Sequence, residues 1–291
     1  MISLNSYIFE GARSTSNNAE RKKELEAWLK NKNYSDYVDA LNDMLDDPKA
    51  KTLLQDGFGG ELGNLKLTYS VKHISAAALR PTQAEIDISK SIKHPLLKPS
   101  NVKADFDKEI IINSMPLITF RGNYIIDGHH RWAEAAVFNP TGKMVCFDYD
   151  GNISPIQMLK AVQGSIAAVY ATKDDAKIPS GIVQDKNIFD MPNESIRSYI
   201  EDMITDESIN ELQRHVKSIT DKESAIDYLM ENIISMKVNN YPEANSPNRG
   251  EMPQTDKAGK DIDDKKTSFP DQEGSALNKL KTGKIDADAL K

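Results

Sequence analysis

Among the 291 residues of this chain there is one cysteine, Cys146. A lone thiol excludes an internal disulfide and a multi-cysteine zinc site within one chain. Long apolar runs are missing too, and none approaches the roughly 20 residues that a membrane-spanning helix needs. The opening MISLNSYIF lacks the charged segment and cleavage site of a secretory signal. Excess positive charge is also absent. Lys and Arg number 37 against 44 Asp and Glu, a net charge of −7, whereas broad adhesion to duplex DNA asks for an array of cations. Hydrophobic residues make up 39%, below the usual globular share, so part of the chain is expected to lie outside a packed core. These absences predict a soluble, cytoplasmic protein with no membrane partner.

What is present concentrates between Asn123 and Ala136, NYIIDGHHRWAEAA. The apolar run Tyr124-Ile125-Ile126 ends in Asp127-Gly128-His129-His130-Arg131, and apolar positions at helical spacing follow from Trp132. The pattern predicts a buried strand, a tight turn and a helix whose first turn carries two imidazoles and a guanidinium. A helix start offers backbone N–H groups and about half a positive charge. Adding His129, His130 and Arg131 there predicts an anion site, with phosphate as the anion. Gly128 permits the backbone angles a tight turn asks for. Asp127 is placed to cap the helix or to hold a metal or a proton.

The DGHHRW core, the upstream LRPTQAEID of residues 79–87 and a strand at Pro116-Leu117-Ile118 resemble the ParB/sulfiredoxin-like superfamily over roughly Tyr69 to Asp150. That resemblance implies a small α+β domain with a mixed sheet, binding nucleotide phosphates at the strand–turn–helix. The sulfiredoxin branch carries a catalytic cysteine where this chain has His129. Cys146 instead lies in the apolar run Met144-Val145-Cys146-Phe147 and reads as a small buried hydrophobe. The chromosome-partitioning branch, which binds CTP, has Gly-Glu-Arg-Arg at this point, and no helix-turn-helix is recognisable downstream here. Free-serine kinases and related phosphotransferases carry Asp-Gly-x-His-Arg, and Asp127, Gly128, His130 and Arg131 match it position by position. In that branch an upstream acidic residue helps activate the acceptor hydroxyl, and Glu85 is its nearest counterpart.

The resemblance therefore implies a nucleoside triphosphate ligand, ATP or CTP, with Mg²⁺. Gly128, His129, His130 and Arg131 would bind phosphate, while Asp127 and Glu85 would do acid/base work or position a metal. Phosphoryl transfer asks a protein mainly for positioning and charge neutralisation. The same groups suit phosphodiester cleavage, so a phosphotransferase and a nuclease stay open. So do a non-catalytic nucleotide- or DNA-associated module and a phage structural or injected protein that retains the fold. The opening SYIFEGAR resembles short leaders of tailed-phage proteins, which implies a bacteriophage origin, host cytoplasm or virion as location, and a nucleic acid or phage protein as further partner.

Residues 1–64 read as a helical N-terminal region, with amphipathic stretches at Asn18–Lys30 and Tyr34–Leu45 and a further short helix from Asp47-Pro48. The glycine-rich Asp56–Gly63 misses the GxGxxG fingerprint at Leu62 and reads as a turn, or a lid over the nucleotide. The α+β domain is assigned to residues 65–170, including strands over Leu65–Val71 and Lys143–Tyr149 and a helix over Ser154–Tyr170. Helices at Asn193–Ile204, Ser208–Val216 and Lys222–Val238 fill residues 171–240, with His215 on a helix surface. They close the domain or present a docking face. Beyond them, Pro242, Pro247, Pro253 and Pro270 stand among polar residues, and 241–291 is expected to be a disordered tail.

Overall fold

The structure, a computed structural model, describes residues 68–106, 110–111, 117–159, 161 and 186–249. The predicted helices before residue 64, the glycine-rich segment and residues 250–291 of the tail lie outside those residues. Six strands are described: β1 (Thr68–Ser75), β2 (Arg80–Pro81), β3 (Ile110–Ile111), β4 (Leu117–Phe120), β5 (Tyr124–Asp127) and β6 (Lys143–Asp150). Six helices accompany them: α1 (Ile88–Leu97), α2 (Pro99–Phe106), α3 (His129–Phe138), α4 (Asn193–Met203), α5 (Asp206–His215) and α6 (Lys222–Asn239). The result is an α+β fold, as the sequence predicts.

The chain divides into two compact units. One comprises Val71–Asp148 and Gln184–Pro242 and contains every candidate site residue. The other comprises Met1–Ser70, Tyr149–Val183 and Glu243–Lys291. Its described part includes helical residues 155–159, opened by Ser154, whose hydroxyl accepts from Gln157 N–H while the Gln157 side chain accepts from Ser154 N–H. That reciprocal pair is a capping box. Of the predicted Ser154–Tyr170 helix, the residues after Ala161 lie outside the described ones.

The sheet runs β1-β6-β4-β5-β2, with β3 also paired to β6. It is mixed: β2 lies parallel to β5 and β3 parallel to β6, whereas β4 and β5 form an antiparallel hairpin. Its turn is tied down by Asp148, a buried carboxylate that accepts from Thr119 Oγ1 at 2.9 Å and Gly122 N–H at 2.7 Å and pairs with Lys72. A register shift between Ile118 and Thr119 falls opposite the end of β5. Such irregularities re-aim the strand beside them, here at Asp127.

Helix α3 is the centre of the core. Trp132, Ala133, Ala135, Ala136, Val137 and Phe138 are all buried, and the alanines let α1, α6 and the 3-10 turn Ala76–Ala78 pack against it. Burying a tryptophan leaves its N–H needing an acceptor, and Trp132 Nε1 donates to Ala76 O at 2.8 Å. The orphan carbonyls at the far end of α3 accept from α6 side chains, Phe138 O from Tyr228 Oη at 2.9 Å and Val137 O from Asn232 Nδ2 at 2.8 Å.

The last three helices sit within two residues of their predicted bounds and close the domain. Ile226, Leu229, Met230 and Ile233 enter the core. Ile234, expected on the same apolar face, is instead 41% exposed, because Ile233 takes the inward position and its neighbour is turned about 100° away. His215 is likewise not a plain surface residue. Its ring stacks on Phe106 of α2 at 4.8 Å, and its Nε2 lies 3.1 Å from the buried Glu211 carboxylate. No helix among the described residues is long and apolar enough to cross a membrane.

Glu134 of α3 keeps part of its surface in solvent, but protein surrounds its carboxyl. Burial, and then the negative charge of Asp105 on α2, hold that carboxyl well above its ordinary 4.5. The neutral form is therefore the one the fold favours. Stability from this group is complete below 4.5 and is lost as pH rises through the higher folded value. Urea unfolding at a series of pH values should find Glu134→Gln more stable than wild type near pH 8, with the difference vanishing toward pH 4. A difference constant over that range would contradict the buried carboxyl.

Candidate functional site

Strand β5, residue Gly128 and helix α3 form the strand–turn–helix the sequence predicts. Gly128 is the residue before the helix and stands at φ 96°, ψ 21°, in the left-handed region. A side chain there would collide with Leu117 Cδ2 and come within 2.8 Å of Arg131 Nη2. Glycine thus does two things at this turn. It accepts the backbone angle, and it leaves the space into which the Arg131 guanidinium folds back.

Asp127 does not cap α3: Gly128 holds the cap position, no side-chain cap bond is made there, and the Asp127 carboxylate faces Arg131 instead. That carboxylate, 40% exposed, lies 3.5 Å from Arg131 Nη2, while the Arg131 side chain is 14% exposed. At that distance the pair is a loose ion contact rather than a tight hydrogen bond. A carboxylate and a guanidinium thus share the mouth of the turn, one largely open to solvent and the other largely enclosed.

The histidines are used in a way the motif does not reveal. Thr82 N–H donates to His129 Nε2 at 3.3 Å, and Asp87 N–H donates to His130 Nε2 at 3.3 Å. A backbone amide can only donate, so each Nε2 presents a lone pair. The two rings are acceptors that tether the segment Thr82–Asp87 to the start of α3. Their Nε2 atoms are thus engaged within the fold, while Arg131 and the helix dipole bring positive charge to the turn.

That tether brings the upstream segment to the motif. Thr82 Oγ1 also donates to Ile125 O at 2.5 Å. Asp87 caps α1, accepting from Ser89 N–H at 2.7 Å and Lys90 N–H at 3.3 Å. Burial pushes the Asp87 carboxyl up, but bonds from Ser89 and Lys90 outweigh it and hold the group below 3.8. Asp87 is thus an ionised cap. Glu85, half-buried, lies between the two tethered residues, and its carbonyl accepts from Gln83 Nε2.

Two further features bear on chemistry. Cys146 is fully buried, and burial followed by the nearby Asp148 carboxylate pushes its thiol up to about 12, so it is no nucleophile at neutral pH. Among the described residues no group of three His, Cys, Asp or Glu could hold a metal ion. Mg²⁺ arriving with a nucleotide needs only one or two protein carboxylates, the rest being phosphate oxygens and water. The exposed Asp127 carboxylate fits that demand. A cavity of about 480 Å³ opens instead along α4, lined by Lys186, Tyr199 and their neighbours, and none of the predicted site residues lines it.

The sequence reading missed Thr82 and Asn187. The second is signalled only by Asn-x-x-Asp, residues 187–190, a turn pattern that says nothing of a partner about 100 positions away. No family model, curated protein or solved structure matches this chain.

Replacing Gly128 by alanine should cost roughly 1–3 kcal/mol, the range for a non-glycine residue held at positive φ, with the Leu117 collision adding to it. Urea denaturation measures it; a loss under about 0.5 kcal/mol would mean that the turn relaxes freely.

Proposed function

We propose that the Asp127–Arg131 turn binds the phosphates of a nucleoside triphosphate, ATP or CTP, together with Mg²⁺, and serves phosphoryl transfer or hydrolysis of a nucleotide or phosphodiester bond. The observation that carries the reading is Gly128 at φ 96° with the Arg131 guanidinium folded into the space a side chain would fill. A glycine turn that holds a guanidinium against a helix start matches the needs of a phosphate oxygen: directed donors and a fixed positive charge. The resemblance of Asp127, Gly128, His130 and Arg131 to the phosphotransferase motif of the ParB/sulfiredoxin-like superfamily points the same way.

In this reading Arg131 holds phosphate oxygens. Asp127 turns from Arg131 to the metal or to the proton of the attacking hydroxyl, and Glu85 assists as a second base. His129 and His130 hold the Glu85 segment in register with the turn, which modifies their expected role as phosphate ligands. With the phage-like leader, the reading extends to a phage-encoded chain working in host cytoplasm or virion beside a nucleic acid or phage protein.

Thermal unfolding with ATP and CTP, with and without Mg²⁺, tests it on wild type, Arg131→Ala and Asp127→Ala. A nucleotide at a hundred times its dissociation constant should add about 2.7 kcal/mol to wild type. Arg131→Ala should lose that gain, and Asp127→Ala should keep binding while losing turnover. Binding without turnover in wild type would favour a non-catalytic nucleotide module, a reading that the Asp127–Arg131 contact also supports. The absence of any shift with any nucleotide would overturn the proposal.

A further inference from the structure

We infer that Asn187 is a positioning residue for the candidate site: its side-chain amide fixes the backbone of Ala84–Ile86 and, on the reading that Glu85 is an acid/base group, sets where that carboxylate stands. The inference rests on that reading for the role of Glu85 alone. The clamp itself is independent of it.

Asn187 is a buried residue in a short stretch leading to α4. Its Oδ1 accepts from Ile86 N–H at 2.9 Å and from Phe189 N–H at 3.3 Å. Its Nδ2 donates to Ala84 O at 3.1 Å and to Asp190 Oδ2 at 2.7 Å. An asparagine amide offers two donors and two acceptor lone pairs, and all four are engaged. Two bonds are local and shape the 187–190 turn. The other two reach 101 and 103 positions back along the chain and hold the residues on either side of Glu85.

The backbone around Asn187 reinforces the grip. Ile188 N–H donates to Ile86 O at 2.8 Å, Ile88 N–H donates to Lys186 O at 3.0 Å, and Asp87 bridges Asn187 in antiparallel sense. Residues 82–88 are thus held by Asn187 and its neighbours at Ala84, Ile86 and Ile88, and by His129 and His130 of the motif turn at Thr82 and Asp87. Site geometry is kept only when side chains outside the reacting groups lock the backbone that carries them. Within the described residues, Asn187 is the side chain that bonds both flanks of Glu85.

Asn187→Asp is the direct test, because it keeps the size and the acceptor but turns the donor toward Ala84 O and Asp190 into an oxygen. Asp190→Asn is the control, since it alters the local turn and leaves both bonds to Ala84 and Ile86. Amide hydrogen exchange on the full chain, read over residues 82–87 and over α6, should show Asn187→Asp exchanging about tenfold faster over 82–87, the effect of losing one buried hydrogen bond. Exchange over α6 should stay at the wild-type rate, and Asp190→Asn should match wild type in both regions. In a nucleotide turnover assay Asn187→Asp should lower kcat and leave KM unchanged.

Unchanged exchange over 82–87 would overturn the inference. So would a rise of equal size in α6, which would mark general destabilisation, or unaltered kcat with a loosened segment. Wild type without nucleotide turnover would sink the functional proposal instead, and the exchange comparison would then decide the clamp alone.

Discussion

Two hydrogen bonds between backbone amides and imidazoles join the parts of this protein that matter most. Thr82 and Asp87 donate to His129 and His130, and through them the segment between β2 and α1 is fastened to the first turn of the central helix. Each bond is modest, about 1 kcal/mol net. Their importance comes from what would follow their loss. The Thr82 amide and His129 are buried, and a buried donor without an acceptor costs more than the bond contributes. The chemistry of the histidines is thereby constrained: a ring nitrogen that accepts from an amide cannot also carry a proton toward an anion.

The rest of the fold supports that junction from both ends of α3. At its start Gly128 allows the strand to turn directly into the helix while Arg131 folds back. At its finish α6 supplies Tyr228 and Asn232 to the last carbonyls, and Asn240 donates to Ala77 O and Leu79 O in the turn before β2. The C-terminal helices are therefore part of the same body as the candidate site. Their surface ion pairs, such as Arg197 with Glu223 and Asp227, are exposed and add little stability. Buried side-chain-to-backbone bonds and apolar packing hold the assembly together.

Local signals made much of this legible in the sequence. The apolar run ending at Asp127-Gly128 marked β5 and its turn, and helical spacing after Trp132 marked α3. Apolar periodicity placed α4, α5 and α6 nearly to the residue. Helices α1 and α2 were less visible, because Pro95 inside α1 interrupts the pattern that announces a helix. Long-range features left no trace. Whether His129 donates or accepts is decided by an amide 47 positions away, and Asn187 acquires its role from the Ala84–Ile86 backbone. The motif named the residues of the candidate turn but not how their side chains are engaged, and only the structure shows both imidazoles accepting from backbone amides.

The most direct test of this account is the protonation state of the two rings, read by long-range proton–nitrogen NMR of the histidine side chains, with His129→Gln and His130→Gln used for assignment. Near pH 7.5 both rings should be neutral, with the proton on Nδ1 and Nε2 bare. An Nε2-protonated or doubly protonated ring at either position would contradict the junction and return the histidines to the role of phosphate-binding donors.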